Sequence, residues 1–300
     1  MASVMATPTP SSPTASRPAK PDPPGTRLMV FAVLDTVNDP GTPGKSGDDR
    51  YGFDAAAGRA WVIDGATDAT DLKPFPGAES GAAWLADTVS ARLMSGPDAG
   101  EGAKPYFGRV LTDVAADAAR RSKIPLHTLP GEAMPIASAM WMRRDGDACE
   151  FVWAGDCFAV AQTAGGEARL IGTQEKADAE TRDAARMLAL PLAERWAILQ
   201  AQRRGANAPE RGLITLNPAA AQHLQTERLV LTPGSAVLLM TDGFFRFVEP
   251  YGLDTPASLL ARVLKEGLGG ALGALRDHET TPRGVRLKAR DDAAAVLLRV

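Results

Sequence analysis

The residues best equipped for chemistry are aspartates that close apolar runs. AWVIDG (60–65) carries Trp61, Val62 and Ile63 into Asp64 and Gly65, and AVLLMTDGFF (236–245) delivers Asp242 and Gly243 in the same way. Asp48 and Asp49 stand just before a strand-like stretch in KSGDDRYGF. Gly155-Asp156 closes EFVWAGD, and Asp291-Asp292 precede the last apolar run in ARDDAAAVLLRV. If those run ends converge, five or more carboxylates share a small volume and cannot all stay ionised without cations. Oxygen ligands with no His or Cys among them select hard ions, Mg²⁺ or Mn²⁺, over zinc. Taken singly, each acid also suits a surface turn, which favours Asp chemically. The chain contains its own control: Asp145-Gly146 lies between two strand-like segments at hairpin spacing and reads as a turn alone.

Such acids need a sheet to aim them. RLMVFAVLDTV (27–37) is short and Val-rich, hence a strand. RYGFDAA and AWVID follow as two strands joined through Gly58. In 77–96, Ala82, Leu85, Ala86, Val89 and Leu93 fall on one helical stripe, and a second helix is expected through 106–121. MPIASAMWMRR and ACEFVWAG form the hairpin about Asp145-Gly146, and CFAVAQT and EARLIG continue the antiparallel pattern. The Arg-rich middle reads as one or two helices interrupted at Pro191. LVLTPGSAVLLMTDG returns to strands around a Pro-Gly turn, 255–275 is helical up to its glycines, and AAAVLLRV closes the fold as a buried strand. Hairpin strands early and late with helices between them predict an α+β fold, two antiparallel sheets with helices outside.

Composition narrows the function. With 300 residues, 45% of them hydrophobic, the chain can build one large core. Residues 1–26 are rich in Pro, Ser, Thr and Ala and predict a disordered arm, leaving 27–300 as a single domain. A net charge of -3 and a pI near 5.7 argue against a general nucleic-acid or polybasic membrane surface. Two cysteines, Cys149 and Cys157, supply neither a disulfide framework nor a Cys-rich zinc site. No run approaches the roughly 20 apolar residues of a membrane span, and no secretory signal is read at the N-terminus, so a cytoplasmic protein is expected.

In order along the chain, GDD (47–49), VIDG (62–65), AGDC (154–157), LLMTDGFF (238–245) and RDDAAAVLL (290–298) resemble the acidic motifs of the PP2C (PPM) metal-dependent protein phosphatases, in a bacterial branch. The resemblance covers roughly 27–300. It implies an α-β-β-α sandwich that hydrolyses phosphoserine and phosphothreonine in proteins, by a metal-activated water at a dinuclear Mg²⁺ or Mn²⁺ site, opposing a Ser/Thr kinase. By the same resemblance, Asp64 bridges two ions, the Gly65 carbonyl joins on one of them, Asp242 and Asp291 hold the other, Asp49 and Asp48 act through waters, and Asp156 helps to bind a third ion. Asp64, Asp242 and Asp49 are then the catalytic acids.

The chain departs from that pattern in three places. Ala66 stands where many relatives have a His, and Gly44 where a phosphate-gripping Arg is usual, which leaves Lys45 or Arg50 as substitutes. Cys157 replaces a usual Ser and reads as a small buried residue. Two other readings compete. IDGAT partly resembles the haloacid-dehalogenase-type phosphatase signature, but Val62 occupies the place of its nucleophile. A catalytically silent, phosphoprotein-binding module of the same fold is the other alternative.

Overall fold

The computed structural model describes residues 30–173, 190–281 and 290–300. The expected arm at 1–26, the start of the first strand at 27 and the first part of the Arg-rich stretch lie outside these. The strands are β1 (Ala32–Asp39), β2 (Arg50–Asp54), β3 (Arg59–Gly65), β4 (Ala137–Asp145), β5 (Ala148–Ala154), β6 (Phe158–Gln162), β7 (Ala168–Ile171), β8 (Gln225–Val230), β9 (Ala236–Met240) and β10 (Ala293–Arg299). The helices are α1 (Gly81–Leu93), α2 (Ala103–Arg121), α3 (Leu192–Arg204), α4 (Asp242–Phe245) and α5 (Pro256–Glu279).

The strands form two five-stranded antiparallel sheets, ordered β2-β3-β4-β5-β8 and β1-β10-β9-β6-β7. Side chains alternate between faces along a strand, and here both faces are covered. In β3, Trp61 and Ile63 pack with Leu85, Val89, Tyr106 and Phe107 of α1 and α2, while Ala60 and Val62 face the other sheet. In β9, Leu238 and Met240 pack against Leu259, Val263 and Leu272 of α5, while Val237 and Leu239 meet Val62 and Met140 between the sheets. That double burial explains the unbroken apolar runs, because no position on these strands faces water. Each fully buried Val or Leu contributes roughly 1.5–3 kcal/mol.

The stripe Ala82, Leu85, Ala86, Val89 and Leu93 is the buried face of α1. Ser80 caps this helix by accepting from the Ala83 N–H at 2.8 Å. Three expectations shift. The loop between the paired residues Asp145 and Ala148 is Gly146-Asp147, one residue further on, with Gly146 at φ +65°. Strands β5 and β6, although consecutive, belong to different sheets, as do β8 and β9. Helix α5 does not stop at its glycines: Gly267 (φ 75°) kinks it and the helix resumes to Glu279. The Asp35 carboxylate accepts from the Leu268 N–H at 2.7 Å and so satisfies a donor freed at the kink.

Candidate metal centre

Antiparallel pairing sets one strand's C-terminal end beside its neighbour's N-terminal end, and this gathers the acids. In the first sheet Arg50 pairs with Ile63, which brings Asp49 beside Asp64, and Ala139 pairs with Ala154, which brings the turn at Gly155-Asp156 to the same edge. In the second sheet Met240 pairs with Ala295, which brings Asp242 beside the Asp291-Asp292 lead of β10. Asp64 shares a strand face with Val62, so it points into the gap between the sheets. Asp242 opens α4, directly after β9.

The carboxyls act on one another. Burial raises the Asp64 pKa well above its ordinary value, and the charges of Asp49, Asp242 and Asp156 add to this. Asp49, only 2% exposed, is also raised, by burial first and then by Asp242, Asp291 and Asp292, with the Thr241 hydroxyl working against them. Asp242 is pushed up to about 7, by burial and then by Asp291 and Asp156, with Arg246 opposing. Asp64 and Asp242 thus both hold their protons more tightly than an ordinary carboxyl. One Asp49 oxygen, Oδ2, is buried without a hydrogen-bond partner.

The glycines of the motifs serve close approach. A methyl group on Gly243 would stand 1.8 Å from the Asp292 carbonyl oxygen, and one on Gly65 would stand 2.7 Å from the Asp48 carbonyl oxygen. Neither glycine has a positive φ. At Gly155 (φ +67°) both reasons apply, since a methyl there would also meet the Ser138 hydroxyl at 2.0 Å.

Residues with no such role assigned from the sequence hold the acids in place. Asp292 binds the 40–48 loop, accepting from the Gly41 N–H at 2.9 Å and the Asp48 N–H at 2.5 Å. Ser80 donates to Asp48. Arg246 bridges Asp291 (2.9 Å) and the fully buried Glu279 side chain (3.0 Å). Arg276 joins Glu279 (2.8 Å), Asp39 (2.7 Å) and the Asp291 carbonyl (2.7 Å), so α5 anchors the lead into β10. Arg246 lies four residues after Asp242, on the same side of a helical turn, and that spacing was the one available signal.

Lys45 and Arg50 are not drawn into the cluster. Lys45 is exposed, and the Arg50 guanidinium is held by Asp87 (2.5 and 3.2 Å) and by the Gly47 and Asp49 carbonyls. Among the described residues no group of three or more His, Cys, Asp or Glu side chains is arranged to hold an ion. Asp291 is instead paired with Arg246. The donor set nonetheless fits hard cations: oxygen atoms only, an orphaned buried acceptor on Asp49, and acids whose pKa values rise through one another's charge.

Fold and site together define a class, the helix–sheet–sheet–helix sandwich with an acidic centre at one end of the gap between its sheets. The chain belongs to the protein phosphatase 2C family, which matches over residues 42–268. Its fold is similar to PstP/Ppp, a serine/threonine phosphatase of Mycobacterium tuberculosis (14% identity, TM-score 0.54, 91% of this chain and 98% of that one). It is likewise similar to PppA, a regulatory component of T6SS in Pseudomonas aeruginosa (16%, TM-score 0.52, 90% and 97%). A third is the S. agalactiae serine/threonine phosphatase (15%, TM-score 0.51, 91% and 100%). No curated protein matches the chain. No helix among the described residues is long and apolar enough to cross a membrane.

Proposed function

We propose that the protein hydrolyses phosphoserine and phosphothreonine in a protein substrate, at a centre that binds Mg²⁺ or Mn²⁺ through Asp64, the Gly65 carbonyl, Asp242, Asp291 and Asp49, with Asp48 contributing through water and Asp156 toward a third ion. The observation that carries this reading is the convergence of Asp49, Asp64, Asp156, Asp242 and Asp291, from strands of both sheets, as groups that perturb one another. A solved relative, the catalytic domain of PstP, is described in complex with 2 manganese ions, which supports the choice of ion. Bound there, such ions supply Lewis acidity, lowering the pKa of a coordinated water and neutralising phosphoryl oxygens.

The chain's own residues prepare that chemistry. Asp64 and Asp242, whose pKa values are raised by burial and by neighbouring acids, would give up protons where cations bind. Arg246 at the end of α4 and Arg276 on α5 orient Asp291, and Asp292 and Ser80 hold the 40–49 loop against the centre. No side-chain nucleophile is needed: Cys157 lies between the sheets, and burial raises its thiol pKa well above the ordinary value, so it remains a neutral packing residue. The three histidines lie on other elements, with His278 packed against Tyr251.

Ala66 and the Arg246–Asp291 ion pair favour the competing reading of a silent phosphoprotein-binding module. One assay separates them. The purified protein is given a phosphothreonine peptide in EDTA, Mg²⁺ and Mn²⁺ in parallel. Turnover only with added ions is expected, whereas turnover after exhaustive chelation, or none with either ion, overturns the reading.

A further inference from the structure

Helix α3 buries none of its own residues and meets the body through its C-terminal half. There Gln200 donates to the Ala69 carbonyl at 3.1 Å and Arg204 pairs with Glu132 at 3.3 Å. Arg203 reaches furthest in. Its Nη1 donates to the Ala66 carbonyl at 3.2 Å and its Nη2 to the Thr67 carbonyl at 2.8 Å, directly after Asp64-Gly65. The loop that receives it is fixed in turn, since the Ala66 N–H donates to the Ile136 carbonyl at 3.2 Å.

Arg203 is half-buried and makes no ion pair within 4.0 Å among the described residues. Burial lowers its pKa, and only the more distant charges of Asp68 and Asp48 offset this. Both of those acids have other work. Asp68 accepts from the Gly81 (2.9 Å) and Ala82 (3.2 Å) N–H groups at the start of α1, and Asp48 takes the Ser80 hydroxyl. Arg50, by contrast, is neutralised by Asp87 through two bonds. A guanidinium has five N–H donors, so two carbonyl bonds leave donors and a whole positive charge open at the edge of the acid cluster. A planar fork beside a cation-binding centre matches a tetrahedral oxyanion.

We propose that Arg203 is a phosphate-binding residue, taking an oxygen of the substrate phosphoryl group from its place on α3. This rests on the phosphatase reading. The alternative is a tether that merely pins α3 to the 66–67 loop.

The test uses the full-length protein loaded with Mn²⁺, in wild-type, Arg203→Gln, Arg203→Lys and Arg204→Gln forms. Inorganic phosphate is titrated by calorimetry, and KM and kcat on the phosphothreonine peptide, Mn²⁺ affinity and melting temperature are measured in parallel. Gln keeps an amide donor toward the carbonyls but removes the charge. Arg203→Gln is expected to raise the phosphate Kd and the peptide KM about tenfold or more, with Mn²⁺ affinity and melting temperature unchanged. Arg203→Lys falls between it and wild type, and Arg204→Gln matches wild type. Unchanged phosphate binding in Arg203→Gln, in a wild-type background that turns over the peptide, overturns the inference and leaves the phosphatase reading standing. A loss shared by Mn²⁺ affinity and melting temperature shows a tether and overturns it as well. A wild-type protein that neither hydrolyses the peptide nor binds phosphate overturns both.

Discussion

At Asp145-Gly146 the carboxylate is exposed and meets Arg228 at 2.8 Å, and a methyl on Gly146 would touch nothing within 4 Å. At Asp242-Gly243 the carboxyl is crowded by Asp64 and Asp291, and a methyl on the glycine would run into the Asp292 carbonyl. The same dipeptide thus serves two purposes. In the hairpin glycine supplies the φ of +65°, and the acid titrates low because Arg228 binds its charged form. At the end of β9 glycine supplies room for a second strand end, and the acid titrates high because burial and like charges disfavour its charged form. What decides between turn and site is the number of chain segments that approach the pair.

The contrast is broken most directly at the two aspartates. Asp242→Asn keeps shape and most hydrogen bonding but removes the charge of a proposed ligand. Turnover is expected to fall by at least about a hundredfold and Mn²⁺ affinity to weaken, with the fold retained by circular dichroism. Equal kinetics in Asp242→Asn and wild type would falsify the site assignment.

Next in size is Gly243→Ala. The overlap with the Asp292 carbonyl forces the β9 and β10 ends apart, at about 1–3 kcal/mol of stability or more by denaturant titration, with activity lost alongside. Gly146→Ala meets no neighbour and carries only the left-handed backbone penalty, about 1 kcal/mol, with turnover unchanged. Equal destabilisation without loss of activity in both variants would show that Gly243 is a turn residue too.

The two acids also differ in the sign of their pH dependence. Asp242 in the folded chain titrates at about 7 against an ordinary 3.8, so between those values the folded state holds a proton that the unfolded state has lost. Its contribution is therefore full below the unfolded value and is lost as pH rises toward 7. In EDTA the melting temperature is expected to fall as pH rises from 4 to 7, and Asp242→Asn is expected to flatten that slope and to melt higher at pH 7. Mn²⁺ affinity runs the opposite way, weakening below pH 7 because protons compete with the ion. Identical slopes for the chelated wild type and Asp242→Asn would remove Asp242 from the buried cluster.

Smallest is Asp145→Asn. Arg228 holds the Asp145 pKa down, so any contribution is present above the unfolded value and lost as pH falls, but the pair is solvent-exposed and screened. Turnover, Mn²⁺ affinity and melting temperature at pH 7 are expected to match wild type. A loss of activity here would mean that the hairpin communicates with the centre.

Legibility followed range along the chain. The stripe of α1, the β2-β3 connection through Gly58 and the apolar runs of β9 and β10 were readable because helical and strand periodicities are local. The acids at the run ends were readable for the same reason. The Gly146-Asp147 loop and the resumption of α5 beyond Gly267 were misplaced because each depends on a partner, the pairing of Asp145 with Ala148 and the Asp35 carboxylate on the Leu268 N–H.

The sequence by itself therefore determined which segments become strands and helices, that both faces of the central strands are covered, and that aspartates stand at their ends. Only the tertiary structure decided which sheet each strand joins, that Asp292 ties down the 40–48 loop, and that Arg246 and Arg276 reach Asp291 from the end of α4 and from α5. It also sets Arg203, far along the chain, over the 66–67 loop. The physical reason is that a period reports which face of an element is buried, whereas a charge finds its partner through space. Asp39 meets Arg276 because the second sheet and the kinked helix α5 pack together, and no spacing along the chain records that contact.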